Sequence, residues 1–346
     1  MFSSPGSKSA QRKRVKSDST SLTIESAVNL LINGNMDVWQ RTAGLTVNTS
    51  SVAVNGATTY SGNGYTADMW QVIPTGASVT VTSQAGRVNS YQAMQVNGAA
   101  SQTGFTIKQR IEAQQAALAA NQQMSVQAQV FNASGSTITP TLTIKYPNAT
   151  DNWSASSTLI NANTLQACPN GVWTQVAFAF ASNTTANAGM EVSFNFTSLT
   201  TTSQYIKFGE AALTITPNTV NGQIGSTLTY PTRLPSDEAI FCKRHGLTLG
   251  SGGVGRAINT TAATVGWQWS STPLRVNPQF VVITGTCTLL DPGVAERGPV
   301  TPSSVTVSGL GLRGGRSDIT GFSGMVNASM CIVEGNSDFL FIACEL

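Results

Sequence analysis

The clearest chemistry-bearing group in this chain is a run of three neighbours, Asp151, Asn152 and Trp153, inside the polar segment 148–154. An indole ring offers an apolar face on which a sugar can stack, while a carboxylate and an amide meet its hydroxyls. The same ring folded over its own loop would do no chemistry, and a large ring rarely stays fully exposed. Both readings stand at this stage. Nucleophilic catalysis has little material. The single histidine, His245, follows Lys243 and Arg244, where a helix C-terminus already accounts for cations. Acid–base hydrolysis of a sugar needs two carboxylates about 5–10 Å apart. Sixteen acidic residues exist, but the one adjacent pair, Asp237 and Glu238, is explained by the start of a helix. The run Gly250-Ser251-Gly252-Gly253-Val254-Gly255 resembles a phosphate loop only in composition. It lacks the following lysine and the βαβ setting, so a β-turn or loop is expected. The five cysteines, Cys168, Cys242, Cys287, Cys331 and Cys344, form no C-x-x-C pair and read as buried free thiols. The expectation is a protein that is not an enzyme.

Composition supports an assembly part. Charged residues make up 10% of the 346, against about 25% in an ordinary soluble domain. The chain is too apolar for disorder, and no uncharged apolar run reaches the roughly 20 residues of a membrane helix. Net charge is +3, and it is unevenly placed. Lys8, Arg12, Lys13, Arg14 and Lys16 stand against Asp18 alone in the first 18 residues, leaving 14 basic and 15 acidic residues in a nearly neutral remainder. Residues 1–26 therefore read as an extended basic arm, whose role is docking into a partner, nucleic-acid binding, or solubility alone. Docking is preferred, because a polar arm can order in a groove; nucleic acid is not expected as a partner. The start has no apolar core of a secretory signal, which fits assembly in a reducing cytoplasm.

The elements that must position these residues are mostly strands. Residues 78–83 and 105–111 alternate apolar and polar, as half-buried strands do. Residues 124–131, 140–146, 172–181, 191–196 and 205–215 continue the pattern. Residues 112–123 predict a helix of about three turns. Trp39, Trp70 and Trp173 sit among apolar neighbours and are expected in the core; Trp267 and Trp269 share a strand face, either core or intersubunit contact. Residues 217–236 hold three prolines and no periodicity, which suggests a linker. Residues 236–244 predict a short helix with Ser236 as N-cap, Asp237 and Glu238 in its first turn and Lys243 and Arg244 in its last. Strand patterns resume at 264–270, 279–289, 303–307, 329–333 and 339–346. The fold class expected is all-β: an arm (1–26), an antiparallel jelly-roll β-sandwich (27–216), a linker with a short helix (217–246), and a C-terminal β-sandwich domain (247–346) for oligomerisation or receptor contact.

Several segments, taken in order, resemble the jelly-roll module of bacteriophage tail-fibre, head-fibre and related receptor-binding proteins. They are the stretch from Asn29-Leu30-Leu31-Ile32-Asn33-Gly34 through Asp37-Val38-Trp39-Gln40-Arg41, then Tyr65-Thr66-Ala67-Asp68-Met69-Trp70, Lys108-Gln109-Arg110-Ile111-Glu112 and Phe208-Gly209-Glu210-Ala211. Residues 234–244, Thr272-Pro273-Leu274-Arg275 and the C-terminal Ala343-Cys344-Glu345-Leu346 extend the resemblance over about 27–346. Met36 stands where an aromatic is usual, Met69 where an arginine is, and His245 where an aromatic is.

The resemblance implies a non-enzymatic virion component with a carbohydrate-binding-module-like sandwich, assembled in the host cytoplasm. Its arm would attach to other virion proteins, it would form a homotrimer, and it would take part in recognising a host-surface glycan, with no membrane partner. A capsid-decorating head fibre is the alternative within the virion. A free carbohydrate-binding protein and a glycan depolymerase are further classes. The resemblance also implies a structural calcium ion (Ca2+) on Asp37 and Glu210, since calcium takes such oxygen ligands.

Overall fold

A computed structural model describes residues 28–39, 45–47, 51–54, 58–61, 64–87, 90–244, 246–249, 253–268, 280–283, 287–291, 295–300, 303–311, 314–323, 330–335 and 340–343. The attachment-arm residues Lys8, Arg12, Lys13, Arg14 and Lys16, and likewise His245, Trp269 and Cys344, lie outside the described residues.

Strands come in chain order as β1 Leu45–Val47, β2 Ser51–Val54, β3 Thr58–Ser61, β4 Gly64–Tyr65, β5 Gln71–Thr75, β6 Val79–Ala85, β7 Gln92–Asn97 and β8 Gly104–Ile111. After α1 (Ala113–Ala116) follow β9 Gln123–Ala133, β10 Thr141–Ala149, β11 Asn152–Thr164, β12 Trp173–Ala181, β13 Met190–Thr197, β14 Tyr205–Ile215, β15 Gly222–Gln223 and the helix α2 Pro235–Lys243. They form two antiparallel sheets. One has nine strands in the order β15-β12-β9-β14-β7-β6-β1-β2-β3, the other six in the order β11-β10-β13-β8-β5-β4. The non-sequential neighbours are the crossovers of a jelly-roll sandwich. Beyond α2, strands 246–249, 340–343 and 280–283 make a three-stranded sheet, and seven more strands between 253 and 335 make another.

Period-two alternation explains the core. Leu142, Ile144 and Tyr146 of β10, Val192, Phe194 and Phe196 of β13 and Phe105 and Ile107 of β8 point inward from the six-stranded sheet. Val126, Ala128 and Val130 of β9 and Ile206 and Phe208 of β14 meet them from the nine-stranded one. Phe208 joins Trp70 and Phe194 edge to face, with centroids 5.4 and 5.0 Å away, geometry that adds to burial.

The segment 29–38 is a buried hydrogen-bonded knot. Asn29 Oδ1 accepts from the Leu31 and Leu213 amides, and Asn33 Nδ2 donates to the carbonyls of Val38 and Asp68. Trp70 Nε1 donates to the Ile32 and Asn33 carbonyls. Gly34 is required by close approach, because a Cβ there would stand 2.0 Å from the Ala211 carbonyl oxygen.

Four expectations need correction. The helix over 112–123 is one turn of α-helix, Ala113–Ala116, continued by a 3-10 turn, Ala117–Ala119. Its uncharged sequence has no side-chain cap, and β9 claims Gln123 for pairing with Ala181. Second, α2 is capped by Leu234 and opens with Pro235 rather than being capped by Ser236; proline suits the first helical turn, where its missing N–H costs nothing. Third, the segment 148–154 is no loop but the tip of the β10–β11 hairpin. Fourth, Trp173 is not core. It faces outward from the nine-stranded sheet, half-buried, with its ring 5.6 Å from that of Phe131. Trp70 is fully buried and Trp39 packs half-buried against the core. Cys168 is a buried free thiol, and Cys242 is buried.

The segment 217–234 hugs the sandwich. β15 pairs with β12, and Gln175 exchanges hydrogen bonds with the backbone of Leu228. Arg233 then donates to the Leu31 and Asn29 carbonyls and to Glu238, while Glu238 accepts from the Asn33 amide at 2.6 Å. Glu238 thus does more than sit at a helix start. It ties α2 to the Asn29–Asn33 knot, and Phe241 and Cys242 pack on Ile32 and Met69.

Candidate functional site

The residues of β8, β13 and β10 that alternate with the core point outward from the six-stranded sheet. Cross-strand register gathers them in rows. Arg110 lies opposite Glu191, which lies opposite Lys145. Lys108, Ser193 and Thr143 form the next row, and Thr106, Asn195 and Thr141 the one after. Directly opposed side chains share one face at about 5 Å spacing.

Polar groups on this face interlock. Glu191 Oε2 accepts from Lys108 Nζ at 2.8 Å and Arg110 Nε at 2.9 Å. Thr106 Oγ1 donates to Asn195 Oδ1, and Asn195 Nδ2 donates to Thr143 and Thr141 hydroxyls at 3.1 and 3.3 Å. Burial alone would push the Glu191 carboxyl up, but the two cations outweigh it and hold it below the usual carboxylate range. Lys108 is pulled down, because burial outweighs the help of a carboxylate it shares with Arg110. Two cationic donors below 3 Å on one oxygen favour the carboxylate form of Glu191.

Trp153 closes over this cluster. β11 is three strands from β8 in the sheet order, yet the Arg110 guanidinium lies 4.8 Å from the centroid of the Trp153 ring, a cation–π contact. The hairpin tip therefore bends across the sheet face. Register shifts between Pro147 and Ala149 mark where it does so, as bulges bend strands. The Trp153 ring is half-buried, and its Nε1–H is enclosed without a partner.

The three residues singled out in the sequence are thus together in the hairpin but do different things. Asp151 turns the chain at φ +52° and its Oδ1 accepts from the Ala113 amide at the start of α1. Asn152 accepts from the Ser154 amide and is exposed. Trp153 alone reaches the polar face. No sequence motif marks Lys108, Arg110, Lys145 and Glu191 as site residues, although the alternation of 105–111 places Lys108 and Arg110 on the polar side. On the other flank of the hairpin tip, a cavity of about 400 Å3 is lined by Tyr146, Asn148, Thr150, Ser157, Thr185 and Asn187, with no charged side chain.

Asp37 and Glu210 each lie within a few residues of the contact between Gly34 and Ala211. The Asp37 carboxylate accepts from the Gln92 amide at the start of β7. Strand β14 pairs with β7 as far as Phe208 opposite Met94, two residues short of Glu210 and Gln92. The loop around Gly34 also packs on Ala211, whose amide donates to the Gly34 carbonyl. Burial raises the Asp37 carboxyl above its usual value, against the pull of its hydrogen bonds to Gln92, Tyr91 and Asn35. Asn35 Oδ1 is buried there without a partner, and Glu210 is buried 3.9 Å from Arg87. Two carboxylates and an unsatisfied amide oxygen are hard donor types that calcium takes. Among the described residues no three His, Cys, Asp or Glu gather into a metal-holding group.

No family model and no curated protein matches the sequence. Among solved structures, the carbohydrate-binding and GH10 modules of Clostridium thermocellum xylanase 10B align at 14% identity and TM-score 0.31, over 44% of this chain and 27% of that one. The enzymatically active domain of bacteriophage CBA120 tailspike protein 4 aligns at 14% identity and TM-score 0.34, over 49% of this chain and 22% of that one. The xylan-binding domain from carbohydrate-binding family 22 aligns at 10% identity and TM-score 0.31, over 44% and 90%. The chain therefore spans about a quarter of the first two structures it resembles.

Proposed function

We propose that this protein is a non-catalytic, glycan-recognising part of a phage particle, and that it reads sugar on the outward face of its six-stranded sheet. One observation carries the reading. Trp153 is folded over Arg110 above rows of interlocked hydroxyl, amide and charged side chains. An aromatic face beside fixed hydrogen-bonding groups is the combination a pyranose needs. The sequence resemblance supplies the setting: the arm 1–26 attaches the chain to other virion proteins, as a tail fibre or a head fibre, and the C-terminal domain 247–346 makes a homotrimer or meets the host surface.

The test is a glycan array followed by calorimetry on the full chain. Wild type is expected to bind a glycan, and Trp153→Ala to bind it about tenfold more weakly with its melting temperature nearly kept. Failure to bind any glycan, or full binding by Trp153→Ala, overturns the reading.

A further inference from the structure

We infer that the glycan read on this face is anionic, bearing carboxylate or phosphate groups, an inference that rests on the glycan reading above. Its ground is the balance of charge and of hydrogen-bonding roles. Lys108, Arg110 and Lys145 stand on one face against Glu191 alone. The face thus carries a surplus of two positive charges, or one if Asp151 at the hairpin tip is counted. That surplus sits on a body otherwise close to neutral.

The one carboxylate in the cluster is already engaged by both neighbouring cations. Glu191 Oε2 serves Lys108 and Arg110, and its Oε1 lies 3.5 Å from the Ser193 hydroxyl. What the face still offers a ligand is a cationic donor, since the Trp153 Nε1–H is enclosed and out of a ligand's reach. Lys145 is half-exposed, in the same row as Glu191 and close enough to Lys108 to depress it. A neutral sugar hydroxyl can accept from such groups, but it leaves the surplus charge uncompensated. A carboxylate or phosphate satisfies both, and charge-assisted hydrogen bonds are the stronger kind. The bend of the hairpin tip partly closes the face, which weakens solvent screening of these charges.

The experiment is calorimetry on the full chain with paired probes: oligouronates against their carboxyl-reduced forms, and phosphodiester-linked oligosaccharides against dephosphorylated ones. The charged member of at least one pair is expected to bind about tenfold or more tightly than its neutral partner. Which pair responds separates carboxylate from phosphate. Affinity is expected to fall with rising salt, and Lys145→Gln to weaken the charged probe about fivefold, more than it weakens the neutral partner. Equal or tighter binding of the neutral members overturns the inference and leaves the glycan reading standing. Binding of no probe overturns both. Charged-probe binding indifferent to salt and to Lys145→Gln also overturns it, since the anion would then be held elsewhere.

Discussion

Replacing Glu191 by glutamine removes the single negative charge between two enclosed cations. The side chains of Glu191, Lys108 and Arg110 are 6%, 10% and 16% exposed. Breaking a buried ion pair from one side costs about 3–5 kcal/mol, because it strands the partner's charge in a poorly solvated place. Glutamine keeps an oxygen that can accept one hydrogen bond, so the lower end applies, about 3 kcal/mol. For a folded unit of roughly 200 residues, that lowers the melting temperature by about 6–12 °C at pH 7. The pH profile adds an independent check. Glu191 is depressed below 4.5 by its cations. Its contribution is therefore present above the unfolded value and is lost as pH falls below it. Wild type should lose stability faster than Glu191→Gln as pH drops from about 5 to 3, and the two melting curves should approach each other. The assay is thermal and urea unfolding of both proteins at pH 3, 4, 5 and 7. A drop under about 2 °C at pH 7, or parallel pH profiles, would refute the idea that this carboxylate holds the cluster together.

Two further outcomes follow from the remaining buried charges. Calcium should raise the melting temperature of chelator-treated protein, by an amount set by its affinity and concentration, and Asp37→Asn or Glu210→Gln should abolish the rise; no heat on titration and no thermal shift would remove the ion from Asp37 and Glu210. Arg233→Ala should cost about 3 kcal/mol in urea unfolding at pH 7, because Glu238, with a side chain 4% exposed, loses its counter-charge. Burial already raises the Glu238 carboxyl, with Arg233 pulling the other way. A raised carboxyl is most favourable protonated, so its contribution is present at low pH and lost as pH rises through its folded value. The variant should recover part of its deficit on acidification, and a deficit that does not shrink between pH 7 and 5 would count against this.

The legible parts of the fold were those with a local cause. The strand β14 is where the alternation from 205 to 215 puts it, and β8, β12 and β13 differ by a residue or two at their ends. Illegible were β11, whose Ser, Thr and Asn run looks like a loop, and the shortened helix at 113–116. Strand β11 is stabilised by pairing with β10 rather than by burying a face of its own. A helix of that composition yields when the next strand needs its last residues.

The sequence by itself determined the alternation that puts Lys108 and Arg110 on one side of β8, and the aromatic in a polar segment. Those depend on neighbours one to four residues apart. Only the tertiary structure decided that Glu191 and Lys145, 81 and 35 residues from Arg110, complete its row, that Trp153 reaches past two intervening strands to cover it, and that Trp173 faces out. Register between distant strands is a sum of many weak pairings and core contacts made at once. No local pattern records which residue ends up opposite which.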